Sequence, residues 1–127
     1  MAQLKTGTDL LPTARHEGDA LFVAISGEID LHNSPDLRTA LLDLLNRHPV
    51  RRLVLNLSNV PYMDSSAIAV LVELLQRQRK TSGQVFLVAP QPRVRGLLEI
   101  ARLDSIFRVV DTEADATSQP PSPPGTA

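Results

Sequence analysis

The chain has 127 residues, a net charge of −1, 43% hydrophobic residues and only 3% aromatic ones, with no Trp. That length and apolar share specify one domain with an aliphatic core, and the near-neutral charge argues against a nucleic-acid binder, which carries a clear basic excess. The lack of Cys excludes disulfides, thiolate metal sites and a Cys nucleophile.

The opening residues, MAQLKTGTDL, lack the apolar core of a signal peptide, and no apolar run approaches the ~18 residues of a membrane span. The expected compartment is therefore the cytoplasm, with no membrane insertion. Residues 1–8 read as an N-terminal segment, 9–116 as the domain, and 117–127 as a disordered Pro-rich tail with little to bury.

Within the domain, ALFVAIS at 20–26 is strand-like, with Leu21, Val23 and Ile25 on one face. The stretch from Asp9 to His16 pairs with it as a hairpin across His16-Glu17-Gly18-Asp19. Ser34-Pro35-Asp36 opens a helix, with Ser34 as cap, and Leu37, Leu41, Leu44 and Leu45 form its apolar stripe up to Pro49. RLVLNL at 52–57 is apolar on both faces, as a central strand is.

A second helix follows Asp64 and runs to Lys80, buried over Ala67 to Val72 and polar beyond Gln76, with Gly83 as its terminator. QVFLVA at 84–89 is another buried strand. Pro92 to Arg102 is an amphipathic helix with Val94, Leu97, Leu98 and Ala101 inward. Ile106 to Val110 is a last strand, and a weak helix is expected near 112–117. The alternation predicts an α/β domain: a mostly parallel sheet of four to five strands, an antiparallel N-terminal edge, and three to four helices.

In such sheets, function gathers where strand ends feed helix N-termini. Two loops qualify, Gly27 to Asn33 and Val60 to Ser66. Asp64 or Ser65 can cap the helix that follows the second. Asp-Ser-Ser is then either only a cap or the site of a regulated serine, because a phosphate on Ser65 would meet a helix end that tolerates it while facing Asp64, Glu28 and Asp30. Met63, Ile29 and Leu31 read equally as core or as contacts for a partner.

Together, GEID at 27–30, LVLNL at 53–57, YMDSSAIAVL at 62–71 and RVRGLLEIARLDSIF at 93–107 resemble a STAS domain, and more narrowly an anti-sigma-factor antagonist. The resemblance covers residues 9–115 in order. It implies that an anti-sigma-factor serine kinase phosphorylates Ser65, with Ser66 as the second candidate. The unmodified form would bind that kinase and release its sigma factor, and a serine phosphatase would reset the switch. It places Asp30 on the kinase-facing loop, so the expected contact residues are Glu28, Asp30, His32, Met63, Asp64 and Ser66. ATP belongs to the partner, and no cofactor is expected. Ala67 and Ala69 depart from the glycines usual in the family and favour helix by up to about 1 kcal/mol. STAS domains also serve as constitutive subunits of lipid-transport ABC systems or as pieces of signalling scaffolds, and the resemblance leaves that use open.

Other chemistry fits less well. A receiver domain with Asp64 as phosphoacceptor needs a lysine near the end of the penultimate strand, and the chain has only Lys5 and Lys80. A serine hydrolase lacks the G-x-S-x-G elbow, and His16, His32 and His48 show neither a triad nor zinc spacing. An enzymatic role is not expected. Arg93 and Arg95 open the third helix and are available to an acidic partner or a phosphate, or simply form a solvated face.

Overall fold

A computed structural model describes residues 3–118. Strands β1 (Thr13–Glu17) and β2 (Ala20–Ser26) form an antiparallel hairpin. Its two-residue turn puts Gly18 at a φ of 58°, a left-handed value that glycine adopts without strain. Helix α1 (Ser34–Arg47), strand β3 (Arg52–Asn59), helix α2 (Ser65–Arg79), strand β4 (Gln84–Val88), helix α3 (Pro92–Ile100), strand β5 (Arg108–Val110) and helix α4 (Glu113–Ser118) follow. The sheet order is β1-β2-β3-β4-β5, and every pairing after the hairpin is parallel. This is the α/β class expected, with β3 at the centre.

Side-chain alternation divides the core into two layers. Leu21, Val23 and Ile25 of β2, Leu53, Leu55 and Leu57 of β3, and Val85 and Leu87 of β4 face α1, α2 and α3. On the other face Phe22, Val54, Phe86, Val88 and Val110 pack with Ala116 of α4. The weak terminal helix is therefore the cover of the second face. Arg52, 6% exposed, clips it there: its Nη1 donates to the carbonyls of Ala116 (3.1 Å) and Thr117 (2.8 Å), while Nε lies 3.5 Å from Asp19 Oδ2. Arg15 helps from the edge, stacking on Phe22 and pairing with Glu113.

Several boundaries differ from expectation. The first strand starts at Thr13, because Asp9 and Leu10 form a turn. Asn33 occupies the N-cap of α1, and Ser34 is instead its buried first residue. At the end of α2 it is Ser82, not Gly83, that takes the left-handed conformation (φ 60°). Gly83 is needed for space, since a Cβ there would lie 3.0 Å from the Arg51 carbonyl oxygen. The third helix ends at Ile100, closed by Arg102 at φ 59° and by a Leu103 N–H to Leu98 carbonyl bond of 2.8 Å. Leu97 is only half-buried and Ala101 is exposed. Ile106 and Phe107 turn into β5 and do not belong to it. Thr117 and Ser118, assigned by sequence to the tail, close α4; residues 119–127 lie outside the described residues.

Arg52→Ala removes a charged donor from one buried and one part-buried carbonyl and should destabilise the domain by about 1–3 kcal/mol. Urea unfolding measures the loss, and amide exchange in α4 should rise more than in α2.

Candidate functional site

The two loops singled out by sequence are joined. Beyond the register irregularity at Ala24 and Ser26, the chain of β2 rejoins that of β3 through an isolated parallel bridge between Ile29 and Met63. The Ile29 N–H donates to the Tyr62 carbonyl (3.0 Å), and the Asp64 N–H donates to the Ile29 carbonyl (3.1 Å). This bridge buries both side chains, Ile29 at 0% and Met63 at 3% exposure. Met63 therefore packs in the core, where it also forms part of the floor of a groove beside Ser65. Leu31, two residues after Ile29, is 72% exposed.

Asp64 is the N-cap of α2, extended at φ −105° and ψ −173°. Its Oδ1 accepts from the N–H of Ser66 at 2.9 Å and of Ala67 at 3.4 Å, and also from the Ser66 hydroxyl. The backbone amide of Leu31, in the other loop, adds a smaller favourable effect on the charge of the same carboxylate. The Ser66 hydroxyl bond, followed by the backbone donors, holds the Asp64 carboxyl below the usual carboxylate range; partial desolvation opposes the shift.

The two serines are thereby separated in role. Ser66 is half-buried and its hydroxyl is engaged by Asp64. Ser65 is exposed at the first position of α2, and among the described residues its hydroxyl has no hydrogen-bond partner. Ala67 is fully buried, so its methyl group fills core and not the outer face; Ala69, one turn after Ser65, is exposed.

In the other loop, Asp30 and Asn33 cap each other. The Asp30 N–H donates to Asn33 Oδ1 (2.9 Å), and Asp30 Oδ1 accepts from the N–H of His32 (2.9 Å) and of Asn33 (3.3 Å). Asn33 Nδ2 donates to the Glu28 carbonyl at 2.9 Å. One Asp30 oxygen is thus committed to the loop, and the side chain is 47% exposed. Glu28 is exposed and His32 is 97% exposed. Glu28, Asp30 and His32 therefore lie on the loop that the Ile29–Met63 bridge joins to the segment of Asp64, Ser65 and Ser66.

A shallow groove of about 440 Å3 runs from this region to α3, lined by residues that include Asp64, Ser65, Tyr62, Arg93, Leu97 and Ile100. Ile100 is 85% exposed. The Arg93 guanidinium lies over the Tyr62 ring, 4.9 Å from its centroid. From sequence, Arg93 read either as available to an acidic partner or a phosphate or as part of a solvated face, with no link to the Ser65 segment. The available signal was a cation in the first turn of a helix, where the dipole disfavours it. Among the described residues no group of His, Asp and Glu is placed to hold a metal ion, and no helix is long and apolar enough to cross a membrane.

The STAS domain family model matches residues 12–116, and the chain belongs to that family. It is 29% identical over 104 residues to the anti-sigma F factor antagonist of Paenibacillus polymyxa, covering 82% of this chain and 89% of that one. Among solved structures, an anti-sigma factor antagonist from Mycobacterium paratuberculosis superposes with a TM-score of 0.73 at 28% identity, over 83% of this chain and 88% of that one. Bacillus SpoIIAA in its phosphorylated form shares the fold, with a TM-score of 0.65 at 19% identity, over 83% and 95% of the two chains.

The depressed Asp64 pKa has a definite sign. Its contribution to stability is complete above the unfolded-state pKa of about 3.9 and is lost as pH falls through the lower folded value. Asp64→Ala should lower the urea midpoint at pH 7, and the gap between variant and parent should narrow on acidification toward pH 2.

Proposed function

We propose that the protein is an anti-sigma-factor antagonist, a binding protein controlled by phosphorylation of Ser65. In its unmodified form it binds a serine-kinase anti-sigma factor through the loop carrying Glu28, Asp30 and His32 and through the first turn of α2. The sigma factor is released as a result. The partner kinase supplies ATP: the γ-phosphoryl group passes to Ser65 Oγ, the hydroxyl loses its proton, and ADP departs. A serine phosphatase returns the protein to its binding form.

The observation that carries this reading is the contrast between the two hydroxyls. Ser65 is exposed and unengaged, whereas Ser66 is turned into the Asp64 cap. The names of the relatives support the antagonist role. The chemistry of the region supports the switch. A phosphate adds up to two negative charges beside Asp64, close to a loop that carries Glu28 and Asp30. At about 8 Å and an effective dielectric of roughly 20–80, each unit pair contributes about 0.5–2 kcal/mol. A dianion facing one partner carboxylate would therefore weaken binding by about one to three powers of ten before salt screening. The groove beside Ser65, with Leu97 and the exposed Ile100, offers apolar area next to that charge-sensitive edge.

Incubation with the cognate kinase and ATP should add one phosphate, located at Ser65 by mass spectrometry and absent in Ser65→Ala. Ser65→Asp carries a single charge and should weaken kinase binding about two- to thirtyfold with an unchanged circular dichroism spectrum. A phosphate found on Ser66, or undiminished binding by Ser65→Asp and by the phosphorylated protein, would overturn the reading and leave Ser65 as a constitutive contact.

A further inference from the structure

Arg93 is oddly placed for a residue that serves only α3. It lies in the first turn, at the positive end of the helix, where a cation is unfavourable and where α3 has no acidic residue to offset it. Arg95 adds a second cation to the same turn. No carboxylate among the described residues pairs with Arg93; its guanidinium rests on the Tyr62 ring instead. Tyr62 stands three residues before Ser65, and all three side chains line the same groove. The groove thus collects an exposed hydroxyl at the N-terminus of one helix and an uncommitted guanidinium at the N-terminus of another. Around Ser65 the positive end of α2 is already partly used, because Asp64 accepts from the N–H groups of Ser66 and Ala67. A further negative charge there needs a counter-charge from outside α2.

Resting on the phosphorylation of Ser65 proposed above, we infer that Arg93 is the intramolecular receptor of that phosphate: the guanidinium leaves the Tyr62 ring and forms a charge-assisted, bidentate contact with the phosphate oxygens. Arginine suits this role because its planar fork of donors matches two phosphate oxygens. A guanidinium held by cation–π attraction at a surface is weakly bound and can be reclaimed by a dianion. The consequence reaches beyond added charge. When the phosphate captures Arg93, the groove loses its free cation as it gains the anion, so two features of the docking surface change in one event. Tyr62 loses its stacking partner at the same time.

The test uses the full chain with phosphoserine installed at position 65 during translation, which needs no kinase. The second ionisation of phosphoserine normally falls near pH 6, and an arginine contact favours the dianion. In a 31P NMR titration, Arg93→Gln should raise that ionisation by at least about 0.5 pH unit relative to the parent phosphoprotein, roughly a threefold change in proton affinity. Arg93→Lys should fall between the two, and Arg95→Gln should match the parent.

Tyr62 is the only tyrosine in a chain without Trp, so its fluorescence and ring NMR signals report the stack directly. They should shift when phosphoserine replaces Ser65 and should not shift in the Arg93→Gln background. Equal titrations for the parent and Arg93→Gln, with both proteins folded by circular dichroism, would overturn the inference. If Arg93→Gln fails to fold, Arg93→Lys decides it: a titration identical to the parent's, with Tyr62 signals unmoved by the phosphate, overturns the inference equally. Failure of the kinase to modify Ser65 would count against the functional reading alone, because the receptor contact is measured on an installed phosphate.

Discussion

The Asp64 carboxylate organises the start of α2, on which the candidate site depends. It accepts from the N–H of Ser66 and Ala67 at the start of α2, and the backbone amide of Leu31 in the loop that follows β2 also favours its charge. One side chain therefore satisfies orphan donors of a helix, while the backbone N–H of the same residue donates to the Ile29 carbonyl of a second, distant loop. The backbone bridge between Ile29 and Met63 joins the same two segments, and both of its side chains lie in the core. The loop with Glu28 and Asp30 is thus joined through backbone bonds to the segment that leads into Ser65.

This arrangement also determines which hydroxyl is presented. An N-cap carboxylate draws in the donors of the second and third helical positions, and here the hydroxyl at the second position, Ser66, is drawn in as well. The first helical position projects away from the cap and receives nothing from it. Ser65 is left exposed by the same geometry that engages its neighbour. The exposure of the Ser65 hydroxyl thus follows from ordinary helix capping.

Much of this was legible in the chain itself. The β-β-α-β-α-β-α-β order follows from runs such as ALFVAIS and RLVLNL set between helical stripes, because apolar period and turn residues are local properties. Asp64 as a cap and Ser65 beside it are equally local. Less legible were features that depend on which segments the sheet brings together. Met63 and Ile29 read equally as contact or core, and their bridge makes both core. Ser34 looked like the cap of α1, yet Asn33 takes that position because its side chain is exchanging bonds with Asp30 and Glu28. Gly83 looked like a helix terminator, but its value lies in letting the Arg51 carbonyl approach from another part of the chain.

The sequence by itself determined the fold class, the helix that begins at Ser65 and the acid that caps it, since each rests on the spacing and conformational preferences of neighbouring residues. Only the tertiary structure decided that Arg93 stands over Tyr62 in the groove beside Ser65 and that Ile29 and Met63 bridge the two loops. Those outcomes depend on parallel strands delivering their carboxyl ends, and the helices that follow, to the same edge of the sheet, a juxtaposition of residues some thirty positions apart that no local pattern encodes.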